Sequence, residues 1–201
     1  TILTPPRDIT VAAWVNPTNL PPNPGDIYTI AAKMDVSGNG YSIQLWQNGS
    51  GQQRFYFWNG GSGGDSFSEP YTTPTGVYSH IAFTRTGTTT TFYVNGAVIP
   101  VAVAATSAGR TPSSNPLLIG TRNENTTTRA LNGAIDDVRI YNRALSANEV
   151  RALVTQPNKA LKVLGSAVNG TLEGGSGLLG GDSMCGGAFK ALIADDTTRR
   201  A

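Results

Sequence analysis

Val77-Tyr-Ser-His-Ile-Ala-Phe-Thr-Arg-Thr-Gly-Thr-Thr-Thr-Thr-Phe-Tyr-Val-Asn-Gly-Ala-Val-Ile99 is the stretch that decides the fold. Side chains alternate across a strand, so Val77, Ile81 and Phe83 are expected on an inner face and His80 on the other. Thr90–Ile99 reads as a hairpin. Its two β-branched and aromatic runs meet at Asn95-Gly96, a pair that tolerates the positive φ of a tight turn.

The same pattern extends in both directions. Strand-length runs are predicted at Ile9–Val15, Ile27–Lys33, Tyr41–Trp46, Arg54–Trp58, Val77–Arg85, Thr90–Val94, Ala97–Val103, Leu117–Thr121 and Ala134–Tyr141. Gly38-Asn39-Gly40, Asn48-Gly49 and Asn59-Gly60-Gly61 supply turns between them. Many short strands at close spacing predict an all-β, antiparallel two-sheet sandwich. One short helix should follow. Ser146-Ala-Asn-Glu149 matches a capping box, Val150, Leu153 and Val154 form an apolar stripe, and Pro157 stops the run.

Composition agrees with strands and turns. The 201 residues are 14% charged, against a usual ~25%, and include 24 Gly, 24 Thr and 12 Pro. A net charge of +2 with scattered Lys and Arg argues against a nucleic-acid partner. No apolar run approaches the ~20 residues of a membrane span. Cys185 is the only cysteine and His80 the only histidine, which excludes an intrachain disulfide, multi-cysteine zinc sites and HExxH chemistry. The chain opens on Thr1 without a signal-peptide pattern, so its address is not read from that end.

The composition shifts after Thr155, which predicts a domain over 1–155 and an extended Gly-rich C-terminal arm over 156–201. Gly165–Gly187 lacks alternation, yet Leu161, Val163, Leu164, Leu178, Leu179, Phe189, Leu192 and Ile193 are apolar residues that a free linker does not need. The arm is therefore expected to order by lying on its own domain or on a neighbouring subunit, a route to self-association. Cys185, among glycines, reads as a tight backbone path.

Asn132-Gly-Ala-Ile-Asp-Asp-Val-Arg-Ile-Tyr-Asn-Arg-Ala-Leu-Ser-Ala-Asn-Glu-Val150 resembles the closing strand and helix of laminin-G-like, concanavalin-A-like jelly rolls. Ile9–Pro17, Tyr28–Lys33, Gly40–Leu45, Arg54–Phe57, Val77–Phe83, Thr91–Gly96 and Leu117–Gly120 follow the family's order, so the resemblance covers residues 8 to 154 and not the arm. It implies a two-sheet jelly roll whose members mostly bind glycans or proteins without catalysis, often as adhesion modules. Some members hold calcium, and the first Asp of the closing motif, here Asp136, then helps together with Asp residues of an earlier strand. Only Thr1–Arg7 precede Asp8 and no Gly-x-Asp-Asp segment exists, so half of the six to eight oxygens calcium needs is absent. The missing strand would also leave an open sheet edge, which the arm is expected to fill.

Asp136 and Asp137, adjacent on a strand, are expected on opposite faces and so not as an acid/base pair. Pairing with Arg139 or Arg143, or capping a loop, is the plainer role. Glu69, Glu124, Glu149 and Glu173 each lack an acidic residue two positions away, so the carboxylate pair of a glycosidase strand is missing. Trp46, Tyr56, Trp58, Tyr71 and Tyr78 could stack on sugar rings, whereas Trp14 reads as core. In Arg54–Trp58, one of the faces Phe55/Phe57 and Arg54/Tyr56/Trp58 is core; the other is a binding surface or a contact between chains. The loops Gly60–Ser68 and Arg122–Arg129 complete the candidate ligand set of Trp58, Asn59, Asp65, Asn123, Glu124 and Asn125, residues that also suit any solvated loop. The expectation is a non-catalytic adhesion module for a glycan or surface protein, extracellular or on a particle surface. The alternative is a structural component of a virion or surface assembly, anchored by the arm.

Overall fold

The computed structural model describes residues 3, 8–35, 37–60, 63–107, 111–122 and 129–155, and the backbone of Ala191–Ile193. Two six-stranded sheets face each other. The first runs in the order β12 (Ala191–Ile193), β11 (Gly133–Tyr141), β1 (Ile9–Pro17), β6 (Ser79–Thr86), β7 (Thr89–Val94) and β8 (Ala97–Ile99). The second runs β10 (Leu118–Ile119), β2 (Ile27–Met34), β3 (Gly40–Gln47), β4 (Gln53–Trp58), β5 (Ser66–Ser68) and β9 (Val101–Val103). The pairings are antiparallel apart from β12, which runs parallel to β11 with Ala191–Ile193 beside Val138–Ile140. This is the antiparallel two-sheet sandwich that the alternation predicts, in the jelly-roll form that the resemblance implies.

The inner faces supply the core. Ile9, Val11, Ala13 and Val15 meet Ile81, Phe83, Phe92 and Val94 within the first sheet, and Tyr41, Ile43, Leu45, Phe55 and Phe57 across from it. Phe57 and Phe83 touch between the sheets with ring centroids 4.2 Å apart. The helix α1 (Ala147–Thr155) lies on the outer face of the first sheet, where Val150 and Leu153 are buried against Ala12, Ala82, Tyr93, Tyr141 and Leu145. Its capping box forms: the Ser146 amide donates to Glu149 Oε2 at 2.9 Å and the Glu149 amide to Ser146 Oγ at 3.3 Å. Hydrogen bonds from Arg143 and Ser146 hold the Glu149 carboxyl down at about 2. Asn95 and Gly96 take φ of 49° and 79°, as the hairpin requires.

Several sequence expectations are corrected. Ala97–Val103 is two strands, not one. Pro100 interrupts it, so β8 edges the first sheet and β9 the second. The strand expected from Val77 begins at Ser79, and Val77 is 59% exposed, not inward. The loop Gly60–Ser68 contains β5. Trp14 lies on the outer face with His80, not in the sandwich core, because Ala13 and Val15 take the inward positions. Asp136 and Asp137 do not straddle the strand. Asp137 adopts φ 49° in a bulge between the pairs Ala12–Arg139 and Trp14–Asp136, which turns its carboxylate onto Arg139 at 2.7 and 2.9 Å. Of the arm, residues 156–190 and 194–201, with Gly165–Gly187 and Cys185, lie outside the described residues.

His80 is 2% exposed, and Trp14 meets it edge-on at 5.3 Å. Burial, then the charge of Arg139, pushes its imidazole down to about 4. It is therefore neutral when folded but protonates below its ordinary 6.5 when unfolded, so its contribution is complete above pH 6.5 and lost as pH falls towards 4. The urea midpoint should drop between pH 6.5 and 4.5, at up to about 1.4 kcal/mol per pH unit from this group. His80→Phe should flatten that slope.

Candidate binding face of the second sheet

With Phe55 and Phe57 committed to the core, period two sends Arg54, Tyr56 and Trp58 of β4 to the outer face. The register places Trp46 opposite Arg54, Gln44 opposite Tyr56 and Ser42 opposite Trp58 on β3, and Phe67 of β5 opposite Tyr56. Trp46, Tyr56 and Phe67 gather into one half-buried cluster. The ring centroids are 4.4 Å apart for Tyr56–Phe67, 4.7 Å for Trp46–Phe67 and 6.2 Å for Trp46–Tyr56. Among the described residues this is the one aromatic cluster on an outer face of the second sheet.

Polar groups border it. The Tyr56 hydroxyl donates to Asp65 Oδ2 at 2.8 Å. Burial first, and then the Asp65 charge, raise the phenol well above its usual range, against an opposing pull from Arg122 and Arg129. Tyr56 thus stays a hydrogen-bond donor. Arg54 donates to the Ser68 carbonyl at 2.9 Å and so ties β4 to the end of β5. On the far side, Thr29 Oγ1 and Gln44 Oε1 are buried without a hydrogen-bond partner among the described residues.

The six sequence-derived ligand candidates separate. Asp65 joins the aromatic cluster through Tyr56. Trp58 shares the outer face but leans against the turn at Gly38, where a Cβ would stand 3.7 Å from its ring. Asn59 is buried, and neither side-chain polar atom has a partner among the described residues. Asn123, Glu124 and Asn125 lie outside the described residues. The sequence offers Trp46 and Tyr56 as sugar platforms but not Phe67, because a three-residue strand inside a polar loop is too short for alternation to register; Ser66-Phe67-Ser68 is its only signal.

Arg85 fixes the segment that carries Asp65. Its side chain points inward from β6 and is 0% exposed. It donates to the carbonyls of Gly64 at 2.8 Å, Ser107 at 2.6 Å and Gly87 at 3.0 Å, with its guanidinium 5.5 Å from the Phe57 ring centre. Burial lowers its pKa while the Asp65 charge resists. The backbone here is close-packed: a Cβ on Gly64 would lie 2.0 Å from the Asn59 carbonyl oxygen.

The oxygens around Asp136 are engaged within the described residues. Its Oδ1 accepts the Asp137 amide at 2.7 Å, Asp137 is occupied by Arg139, and among the described residues no three His, Cys, Asp or Glu side chains converge. A hard cation needs six to eight oxygens, and this donor set does not fit one.

The comparisons agree with this architecture. The family model described as the concanavalin A-like lectin/glucanases superfamily, in its Laminin_G_3 form, matches residues 1–151. The chain belongs to this family. No curated protein matches the laminin-G-like chain. Among solved structures it is similar to a heptameric SAP-like pentraxin of Limulus polyphemus, with TM-score 0.59 and 13% identity over 77% of this chain and 72% of that one. A putative carbohydrate-binding protein of Bacteroides ovatus gives 0.55 and 21%, over 75% of this chain and 41% of that one. Domain 4 of the arabinanase AbnA of Geobacillus stearothermophilus, in complex with arabinotriose, gives 0.53 and 22%, over 76% and 68%. These likenesses carry the fold. The chain spans less than half of the Bacteroides protein, and among the described residues no helix is long and apolar enough to cross a membrane.

Two outcomes follow. Arg85→Met strips a donor from three enclosed carbonyls and should lower stability by about 3 kcal/mol, read from the urea midpoint. The melting temperature should be the same in EDTA and in millimolar calcium. A rise with calcium would show that oxygens beyond the described residues complete a site at Asp136.

Proposed function

We propose that the laminin-G-like domain is a non-catalytic glycan-binding module whose ligand lies on the Trp46–Tyr56–Phe67 face. The aromatic cluster on an outward sheet face carries this reading. Tyr56 and Phe67 stack on each other and Trp46 inclines to them at 57° and 49°, so the cluster offers an angled apolar surface for the C–H face of a sugar, bordered by the Tyr56–Asp65 pair and Arg54 for its hydroxyls. Such a mixture of apolar floor and a few fixed polar groups is what small-ligand sites use. The carbohydrate-binding neighbours support it at the level of fold.

The same face supports the non-catalytic part. Glycoside hydrolysis places two carboxyl groups about 5 to 9.5 Å apart across the bond. Asp65 is the one carboxylate bonded to this cluster among the described residues. An extracellular or particle-surface address, as a module binding glycans on cells or on a surface protein, is the setting in which such a face is useful. A second reading, a structural subunit anchored through the C-terminal arm, is favoured by one observation, the parallel pairing of Ala191–Ile193 with β11.

Affinity electrophoresis through gels containing arabinan, xylan, β-glucan or galactan tests the reading. At least one polysaccharide should retard the wild-type chain. Trp46→Ala should weaken that binding about 30-fold, the ~2 kcal/mol of an aromatic anchor, while the variant keeps a cooperative unfolding transition. Retardation by none, or by Trp46→Ala equally, overturns it.

A further inference from the structure

We infer that this face receives the end of a glycan chain and not its interior. The inference rests on the glycan-binding reading above and adds which part of the glycan is taken. It comes from a gradient of enclosure along one cross-strand row. Thr29 of β2, Gln44 of β3, Tyr56 of β4 and Phe67 of β5 stand opposite one another in register, with Val103 of β9 next at the rim. Thr29 and Gln44 are 0% exposed, Tyr56 and Phe67 are half-buried, and Val103 is 50% exposed.

A residue on the outward face of a sheet is fully buried only if something is layered over it. The β2 side is where the chain around Gly120 and Leu131 is pinned. Gly120 donates to the Ile30 carbonyl, Leu131 to that of Gly120, and Ala130 bridges Thr29. Arg122 and Arg129, just inside these two anchor points, come close enough to Tyr56 for their charges to act on its phenol. Along the strands, Ser42 is 0% exposed opposite Trp58, and Trp58 rests on the Gly38 turn. The row is therefore closed at Gln44 and Thr29, on the β2 side of the platform, and open towards β9.

Strands lie about 4.8 Å apart, so from Tyr56 to the β9 rim a ligand crosses about 10 Å of protein. A polymer continuing the other way would meet the closed side. A terminal unit stops there, and it carries one hydroxyl more than an internal unit, at the position where the chain would have continued.

The experiment is calorimetric titration of the full chain with linear arabinan, xylan, β-glucan and galactan. Each is used intact and after partial hydrolysis at constant mass, and the di- to pentasaccharides are titrated alongside. The number of sites per gram should rise in proportion to the chain ends. A trisaccharide should bind within about threefold of the affinity per polymer end. Sites that stay constant per gram as chains shorten would overturn the inference while leaving the glycan-binding reading intact. If the wild-type chain binds none of the probes, that reading fails and this one with it. Trp46→Ala should weaken polymer and trisaccharide by the same factor; loss of only one overturns a shared end site.

Discussion

Phe55 and Phe57 are held in the sandwich core, and that anchorage fixes what the other face of β4 presents. A slip of one residue would send Arg54, Tyr56 and Trp58 inward, burying a guanidinium and a phenol without partners while expelling two phenyl rings. The slip is blocked from both sheets, because Phe57 packs on Phe83 of β6 and Phe55 on Phe92 of β7 at 6.4 Å. The outward cluster is therefore a consequence of core packing. Its positions are set by the same hydrophobic driving force that assembles the sandwich, on the order of 3–5 kcal/mol for each buried phenyl.

Arg85 is the polar exception that joins this core to the border of the binding face. It occupies an inward position on β6, where alternation calls for an apolar residue, and no carboxylate forms an ion pair with it among the described residues. Three backbone carbonyls receive its hydrogen bonds instead, and one belongs to Gly64, immediately before Asp65. A fixed fork of donors matches several carbonyls at once, which a lysine point charge does not. The close approaches at Gly60 and Gly64, where a Cβ would come within 2.6 Å of the Gly38 carbonyl oxygen and 2.0 Å of that of Asn59, leave no room for another residue. Asp65 is thus held at Tyr56 by backbone geometry on one side and by a buried cation on the other.

The fold was legible because its signals are local. Period two in Val77–Phe83, Asn95-Gly96 at a hairpin and Ser146–Glu149 at a helix start each report a structure that a few neighbouring residues determine. What escaped was determined by distant ones. Pro100 splits one apparent strand between two sheets, and only the sandwich as a whole decides that Ala97–Ile99 and Val101–Val103 part there. Asp137 breaks alternation because Arg139 offers it a partner, so two acids that a flat strand would separate come to the same side. The binding face was half visible. Arg54–Trp58 showed which residues travel together, but not which set faced out, and Phe67 enters the cluster through a strand of three residues. Asn59 had the composition of a loop donor, yet it is enclosed by the glycine contacts around it.

Placing ligand contacts on strands has a thermodynamic consequence. Loop residues must be ordered when they bind, at about 0.5–1.5 kcal/mol for each mobile side chain. Trp46, Tyr56 and Phe67 already touch one another, and Tyr56 is further held by Asp65, so little of that cost remains. The same contact also accounts for why the aromatic residues tolerate partial exposure here. Their mutual packing shields enough ring surface to keep them from collapsing inward, and the core behind them is already full.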